Sequence, residues 1–336
     1  EESLKLRGAN DAIGAHRNEL LQLQIWSLLP SFCHNPPDIQ KSFKRIAKRL
    51  GVTMCEKKDL RIVIMASLRK LIQRSMQENR IGDINELSHY SKNFLPILFN
   101  IYTTKPIGSD EEGQRLASLE TIKTLLCITS GELIVDLLDK ALANFSIADA
   151  TDFFKDSIFD LIRTLCQCAD LSRLQIVSNR FIPLLGNTQR PRDQKKAYRF
   201  LEEICKSDGA VCKEFIHQNR EQIKNAIIDT SGSIQNMSKG ARIRCIMYLV
   251  RGESVSLNSR FLRLAIPEAL TYLKESNERC RNSAFTLLNI IAEKLIDNKN
   301  SFEEYITMIM SGLDGPSSLQ RSSSLLALTC IIYHFN

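Results

Sequence analysis

The sequence predicts an all-α protein built as a stack of helical hairpins, and three observations carry that reading. Apolar residues recur at helical spacing through nearly the whole chain. A cation opens a helix at Arg115, Lys155, Lys195, Lys239, Arg281 and Arg321, at intervals of 40, 40, 44, 42 and 40 residues. Two positions after each cation stands a small residue: Ala117, Ser157, Ala197, Ala241, Ser283 and Ser323. A period near 40 residues with two helices per unit is the signature of the HEAT and armadillo class. One hairpin cannot bury its apolar face alone, so it stacks on its neighbours, and the small residue lets successive second helices approach closely. The expected architecture is a HEAT/armadillo-like right-handed α-solenoid of roughly seven hairpins. Its ends, Glu1 and the apolar run LLALTCIIYHFN, read as those of a fragment of a longer array.

In chain order, Arg17 to Leu29 predicts a helix with Leu20, Leu21, Leu23, Ile25, Trp26, Leu28 and Leu29 on it, ended near Pro30. A turn over Asn35 to Asp38 opens a second helix to Leu50, with Gly51 as its stop. In it Phe43, Ile46, Ala47 and Leu50 form the packing face. A third helix runs from Asp59 to about Met76, with Ile62, Met65, Leu68, Leu71 and Ile72 on one side. Residues 1–86 thus form the N-terminal helices, and 87–336 the regular repeats of a single continuous solenoid.

From there, first helices with an internal proline (NFLPILFN, RFIPLLGN, LAIPEALT) alternate with second helices, the proline serving to bend the first helix. Pro191 sits at the first helical position, where a missing amide costs nothing, and Ala197, Phe200, Leu201 and Ile204 follow it on one face. Thr103 to Gly113 and Gly232 to Lys239 read as loops between helices.

Length, charge and cysteines bound the function. At 336 residues the chain exceeds one ordinary compact core. No apolar run is long enough to span a membrane and no secretory h-region occurs. Ten cysteines contain no C-x-x-C, and a helix would point Cys166 and Cys168 about 200° apart. Cys127, Cys205, Cys245 and Cys330 fall in apolar stripes, as small buried hydrophobes do. That pattern suits a reducing compartment, cytosol or nucleus. Cys33 and His34 are adjacent, yet no second ligand pair lies at metal spacing, so no metal or other cofactor is expected. The sequons at Asn144 and Asn236 are read as chance matches in such a chain.

No phosphate-cradling glycine loop and no G-x-S-x-G elbow are present. Glu202 and Glu203 flank apolar positions and read as a solvated helix face, and Ser322 to Ser324 as close helix contact. The expectation is a binding surface, not an enzyme. Formal charge is +7, which matters only where the cations cluster. They cluster in three places. Lys41, Lys44, Arg45, Lys48 and Arg49 form a stripe at i, i+3, i+4, i+7 and i+8, extended by Lys57, Lys58 and Arg61. Arg190, Arg192, Lys195, Lys196 and Arg199 form the second group. Lys239, Arg242 and Arg244, with Arg279 and Arg281 one repeat on, form the third. Second helices of a stack lie side by side, so these cations are candidates for a nucleic-acid track. Aromatic partners there are few (Tyr198 and Tyr248), which favours contact with the backbone of a duplex or folded RNA over single-strand reading. The bland reading is that the charges keep a long apolar stack soluble or meet an acidic protein.

The segments IWSLLPSFCHNPPDI, KNFLPILFN, QKKAYRFLEEIC and MIMSGLDGPSSLQRSSSLLALTCIIYHF resemble the ribosomal RNA-processing protein 12 family. The resemblance implies a long HEAT-repeat protein, similar in build to nuclear transport receptors, of which this chain is the central repeat region. It implies a nucleolar and nuclear factor acting on the small-subunit pre-ribosome, shuttling toward the cytoplasm with particles bound for export. The partners it implies are pre-ribosomal RNA, small-subunit ribosomal proteins, assembly factors, the Ran GTPase and nucleoporins. A karyopherin-like adaptor for Ran and nucleoporins is the alternative role. The family pattern contains no catalytic residues, and the cationic candidates rest on spacing.

Overall fold

The computed structural model describes residues 5, 11–33, 36–147 and 150–335. They form seventeen α-helices joined by short turns, and no β-strand occurs among them. His34 and Asn35, which the metal and turn readings involved, lie outside the described residues. Contacts divide the chain after Ala169 into two compact units.

The first unit contains α1 (Ala12–Ser27), the single turn α2 (Leu29–Phe32), α3 (Pro36–Glu56), α4 (Arg61–Gln77), α5 (Ile81–His89), α6 (Ser91–Thr103), α7 (Ser109–Leu126), α8 (Gly131–Phe145) and α9 (Asp152–Cys166). Hairpins α3/α4, α6/α7 and α8/α9 stack so that α4 packs on α7 and α7 on α9. The second unit holds α10 (Leu171–Phe181), α11 (Pro191–Lys206), α12 (Ala210–Asp229), α13 (Lys239–Arg251), α14 (Arg260–Tyr272), α15 (Glu278–Leu295), α16 (Lys299–Met310) and α17 (Ser318–Phe335). Its second helices α11, α13, α15 and α17 each pack on the next, while α10, α12 and α14 form the other row. This is the HEAT/armadillo arrangement that the 40-residue period predicts.

Side chains start many of these helices. Asp11, Thr151, Asp170, Ser259, Asn277 and Asn298 each accept a first-turn amide, Asp170 from Arg173 at 2.8 Å and Asn277 from Cys280 at 3.0 Å. Pro191 does occupy the first position of α11, and Ala197, Phe200, Leu201 and Ile204 behind it are buried. Burying each such large apolar side chain contributes roughly 1.5–3 kcal/mol.

Several local expectations are corrected. Gly51 does not stop α3. The helix runs on to Glu56 because Met54, one turn later, is buried, and Gly51 has no left-handed φ. α1 begins at Ala12, and its Leu20, Leu21 and Ile25 are exposed, as is Leu28 just after its end. Ile62 is likewise exposed, whereas Met65, Leu68, Leu71 and Ile72 are buried. Pro96 and Pro267 lie inside α6 and α14, but α10 ends before Pro183 and passes into a 3-10 turn over Ile182–Gly186. The acidic segment Asp110–Glu112 is the first turn of α7, where negative charge suits the helix dipole, and Glu111 also accepts the Ile107 amide. The small-residue register holds at Ser157, Ala197, Ala241 and Ser323, but slips by one in α7 and α15, where Ser118 and Ala284 take the buried place of Ala117 and Ser283. Cys127 is exposed, not buried.

The loop over Gly232 to Lys239 is ordered by a residue in α11. Gln194 is fully buried and donates from Nε2 to the carbonyls of Leu185 and Ser233, both at 3.0 Å, while its Oε1 accepts the Gln235 amide at 2.9 Å. Replacing Gln194 with leucine orphans that amide and two carbonyls. The expected loss is about 1–3 kcal/mol of unfolding free energy, measured by urea denaturation.

Candidate nucleic-acid interface

The periodic cation that marks each repeat is largely committed to the fold. Arg281 Nη1 donates to the carbonyls of Glu275 and Ser276 at 2.7 and 2.8 Å, and Arg321 Nη1 does the same to Gly315 and Pro316 at 2.8 and 3.2 Å. Each clips the turn that precedes its own helix. Arg115 pairs with Glu112 and lies over the rings of Tyr102 and Phe153.

Arg242 departs furthest from the expectation of a surface cation. It has no exposed surface. Its Nε and Nη2 meet Glu268 of α14 at 2.6 and 2.9 Å, and Nη1 donates to Tyr198 Oη at 2.7 Å, the Ile227 carbonyl at 2.8 Å and Thr230 Oγ1 at 3.2 Å. Burial alone would pull its guanidinium pKa down, but the hydrogen bonds and charge of Glu268 and Tyr198 together outweigh that and hold it above its ordinary value. Arg242 is therefore withdrawn from the surface set as a buried cross-tie. Lys239 pairs with Glu275 and lies over the Tyr272 ring, and Arg244 is gripped by both oxygens of Glu202.

The second group is mixed. Arg190 approaches Asp193 at 3.6 Å, and Arg192, Lys195 and Lys196 also engage other groups. Arg192 and Arg199 are exposed, Lys195 and Lys196 half-buried. Arg199 has no ion pair or side-chain hydrogen bond with a described residue.

α3 stands apart. Ile39, Phe43, Ala47, Leu50 and Met54 are buried on one face, with the Phe43 ring edge-on to Tyr90 at 5.5 Å, and Ile46 is half-buried beside them. Opposite, Lys41, Lys44, Arg45, Lys48 and Arg49 are all exposed, and none pairs with a described residue. The proposed extension does not join them. Lys57 donates to Gln22, Lys58 pairs with Glu111, and Arg61 caps the end of α3 through the carbonyls of Met54 and Cys55.

The packing and the bare cationic helix are set in a recognisable sequence. A profile described as "Ribosomal RNA-processing protein 12, HEAT repeats" matches residues 1–105, the stretch that holds α3. The human RRP12-like protein is 34% identical over 337 residues, covering 99% of this chain and 26% of that protein. Ribosomal RNA-processing protein 12 of Saccharomyces cerevisiae is 27% identical over 366 residues, covering 93% of this chain and 29% of its own length. Over nearly its whole length the chain is similar to these ribosomal RNA-processing protein 12 sequences. It spans about a quarter of the length of these family members. In fold it is similar to the karyopherin Kap121p, with a TM-score of 0.66 at 14% identity over 98% of this chain and 33% of that one. At that identity the likeness concerns the fold alone.

No group of three or more His, Cys, Asp or Glu residues placed to hold a metal ion occurs among the described residues. Burial pushes the Cys280 thiol up to about 11 and raises Cys245 as well, so both stay protonated near neutral pH and are poor nucleophiles.

Proposed function

We propose that the chain is a non-catalytic scaffold segment of the small-subunit pre-ribosome, in the nucleolus and nucleus, which holds pre-ribosomal RNA and assembly proteins during rRNA processing and nuclear export. The name of the yeast relative, a ribosomal RNA-processing protein, supports the setting. The carrying observation is α3. Elsewhere in the protein, helix-surface cations sit beside acids, as in Lys140 with Asp136, Lys123 with Glu120 and Arg74 with Glu78. On α3 five cations lie at helical neighbour spacing with no acid between them. Like charges at i, i+4 cost the helix roughly 0.2–0.5 kcal/mol per pair, so an anionic partner would relieve repulsion as well as add contacts. The stripe spans nine residues, Lys41 to Arg49, or about 12 Å of helix axis, a length over which duplex nucleic acid carries about seven phosphates. Exposed aromatics are absent from it, which suits contact with the phosphate backbone rather than with bases.

The test is ultraviolet crosslinking of the purified particle with mass spectrometry of the adducts. RNA adducts on peptides of Pro36–Glu56 are expected. Adducts elsewhere on the chain with none on those peptides, or crosslinks to protein alone, would overturn the assignment of RNA to α3.

A further inference from the structure

A cleft in the second unit is bounded by the starts of α13 and α15 and by the charged side of α11. Its lining holds Lys195, Arg199, Lys239, Arg244 and Arg279 against one acid, Glu275. The cations play two different parts. Lys239 and Arg244 are fixed in place, the first by Glu275 and the second by Glu202. Glu202 takes Nε and Nη2 of Arg244 and leaves Nη1 uncommitted beside Gly240, where an added Cβ would lie 3.4 Å from it. Arg199 and Arg279, from α11 and α15, are exposed and have no partner among the described residues.

The backbone completes the arrangement. α13 starts without a side-chain cap, and the hydroxyl of Ser238 at its cap position is fully buried with no hydrogen-bond partner. The first-turn amides of α13 are therefore not taken by that hydroxyl, and Gly240 leaves the backbone bare at the cleft wall. Uncapped helix amides together with guanidinium donors are the donor set that recognises a tetrahedral oxyanion.

We propose that this cleft is a phosphate-binding site, with the Gly240 and Ala241 amides and Arg244 Nη1 at its floor and Arg199 and Arg279 closing on the outer oxygens. It deepens the RNA-scaffold reading, on which its biological ligand rests. The phosphate comes either from an RNA backbone or from a free phosphate compound, and the experiment separates the two.

The first arm titrates inorganic pyrophosphate into the whole nitrogen-15-labelled chain and follows the amide resonances of Gly240 and Ala241. Saturable shifts are expected there, weakened at least ~tenfold in Arg199→Gln/Arg279→Gln, since a charged hydrogen bond of this kind accounts for about that factor. The α3 variant Lys44→Gln/Lys48→Gln should leave them unchanged. Both altered arginines of the cleft are exposed, so the amide spectrum itself reports that the fold is retained. Shifts that grow linearly with pyrophosphate, or that are equal in the cleft variant, overturn the site. The second arm measures the salt dependence of RNA binding by the same proteins. A slope reduced by one to two in the cleft variant assigns the phosphate to RNA. Saturable pyrophosphate with an unchanged RNA slope keeps the site and assigns it to a free phosphate compound. RNA binding through α3 with no saturable pyrophosphate overturns the cleft alone, and pyrophosphate binding in a chain that binds no RNA overturns the scaffold reading alone.

Discussion

Replacing Arg242 with alanine is expected to destabilise the second unit by about 3–5 kcal/mol, the usual consequence of removing one member of a buried ion pair. The magnitude follows from what the guanidinium holds together. It reaches Glu268 on α14, the Tyr198 hydroxyl on α11, and the Ile227 carbonyl and Thr230 hydroxyl at the end of α12. Tyr198 and Thr230 are themselves 2.8 Å apart, and Thr230 donates to the Ala226 carbonyl, so both hydroxyls are tied into the same network. Without Arg242, Glu268 becomes a partly buried carboxylate with no counter-ion, and Tyr198 loses a partner in a site where burial already raises its pKa. Three hairpins would loosen together. Urea denaturation of Arg242→Ala against the parent chain measures the loss. The double variant Arg242→Met/Glu268→Met should recover most of it, because an apolar pair of similar volume removes the stranded charge. A loss under about 1 kcal/mol in the single variant, or no recovery in the double, would show that the network does not tie these hairpins.

The same residue marks the boundary of what the sequence makes legible. The 40-residue period, the hairpin alternation and the buried face of α11 follow from local spacing, and the structure repeats them. A cation's fate does not follow that way. Arg242 and Lys48 both lie on helices with an apolar face, yet one is buried and the other exposed. The difference arises from Glu268, 26 residues further on in α14, whose carboxylate meets the guanidinium at 2.6 Å. Gln194 is the converse case. A polar residue beside Pro191 and Lys195 looks like surface, but two carbonyls and an amide from separate turns converge on it. Arg281 and Arg321 carried a usable signal, since each lies five and six residues after the carbonyls it clips. Of the candidate set, the stripe on α3 was the most readable, because its apolar and basic faces alternate within one helix and need no distant partner.

Charge reversal at Lys44, Arg45, Lys48 and Arg49 should then give the largest loss of RNA affinity available in this chain. If the four cations neutralise four backbone phosphates, they account for roughly 3.6 in the slope of log affinity against log salt, at about 0.9 each. Referred to molar salt, that slope corresponds to roughly 10³-fold in affinity at 0.15 M, and glutamates in place of the cations add repulsion to the loss. All four side chains are exposed and bonded to nothing described, so Phe43, Ala47 and Leu50 keep their packing and the thermal midpoint should stay near that of the parent. A graded set of glutamine substitutions distinguishes contact from bulk charge. Each cation in contact lowers the slope by about one, whereas a general dependence on net charge would let any four exposed cations, such as Lys70, Lys140, Lys213 and Lys299, do as well. Filter binding of structured RNA between 50 and 300 mM salt reads both quantities. Equal losses from the scattered quartet would reduce α3 to one part of a diffuse positive field. A loss confined to α3 would make that helix the place where this chain meets the RNA backbone.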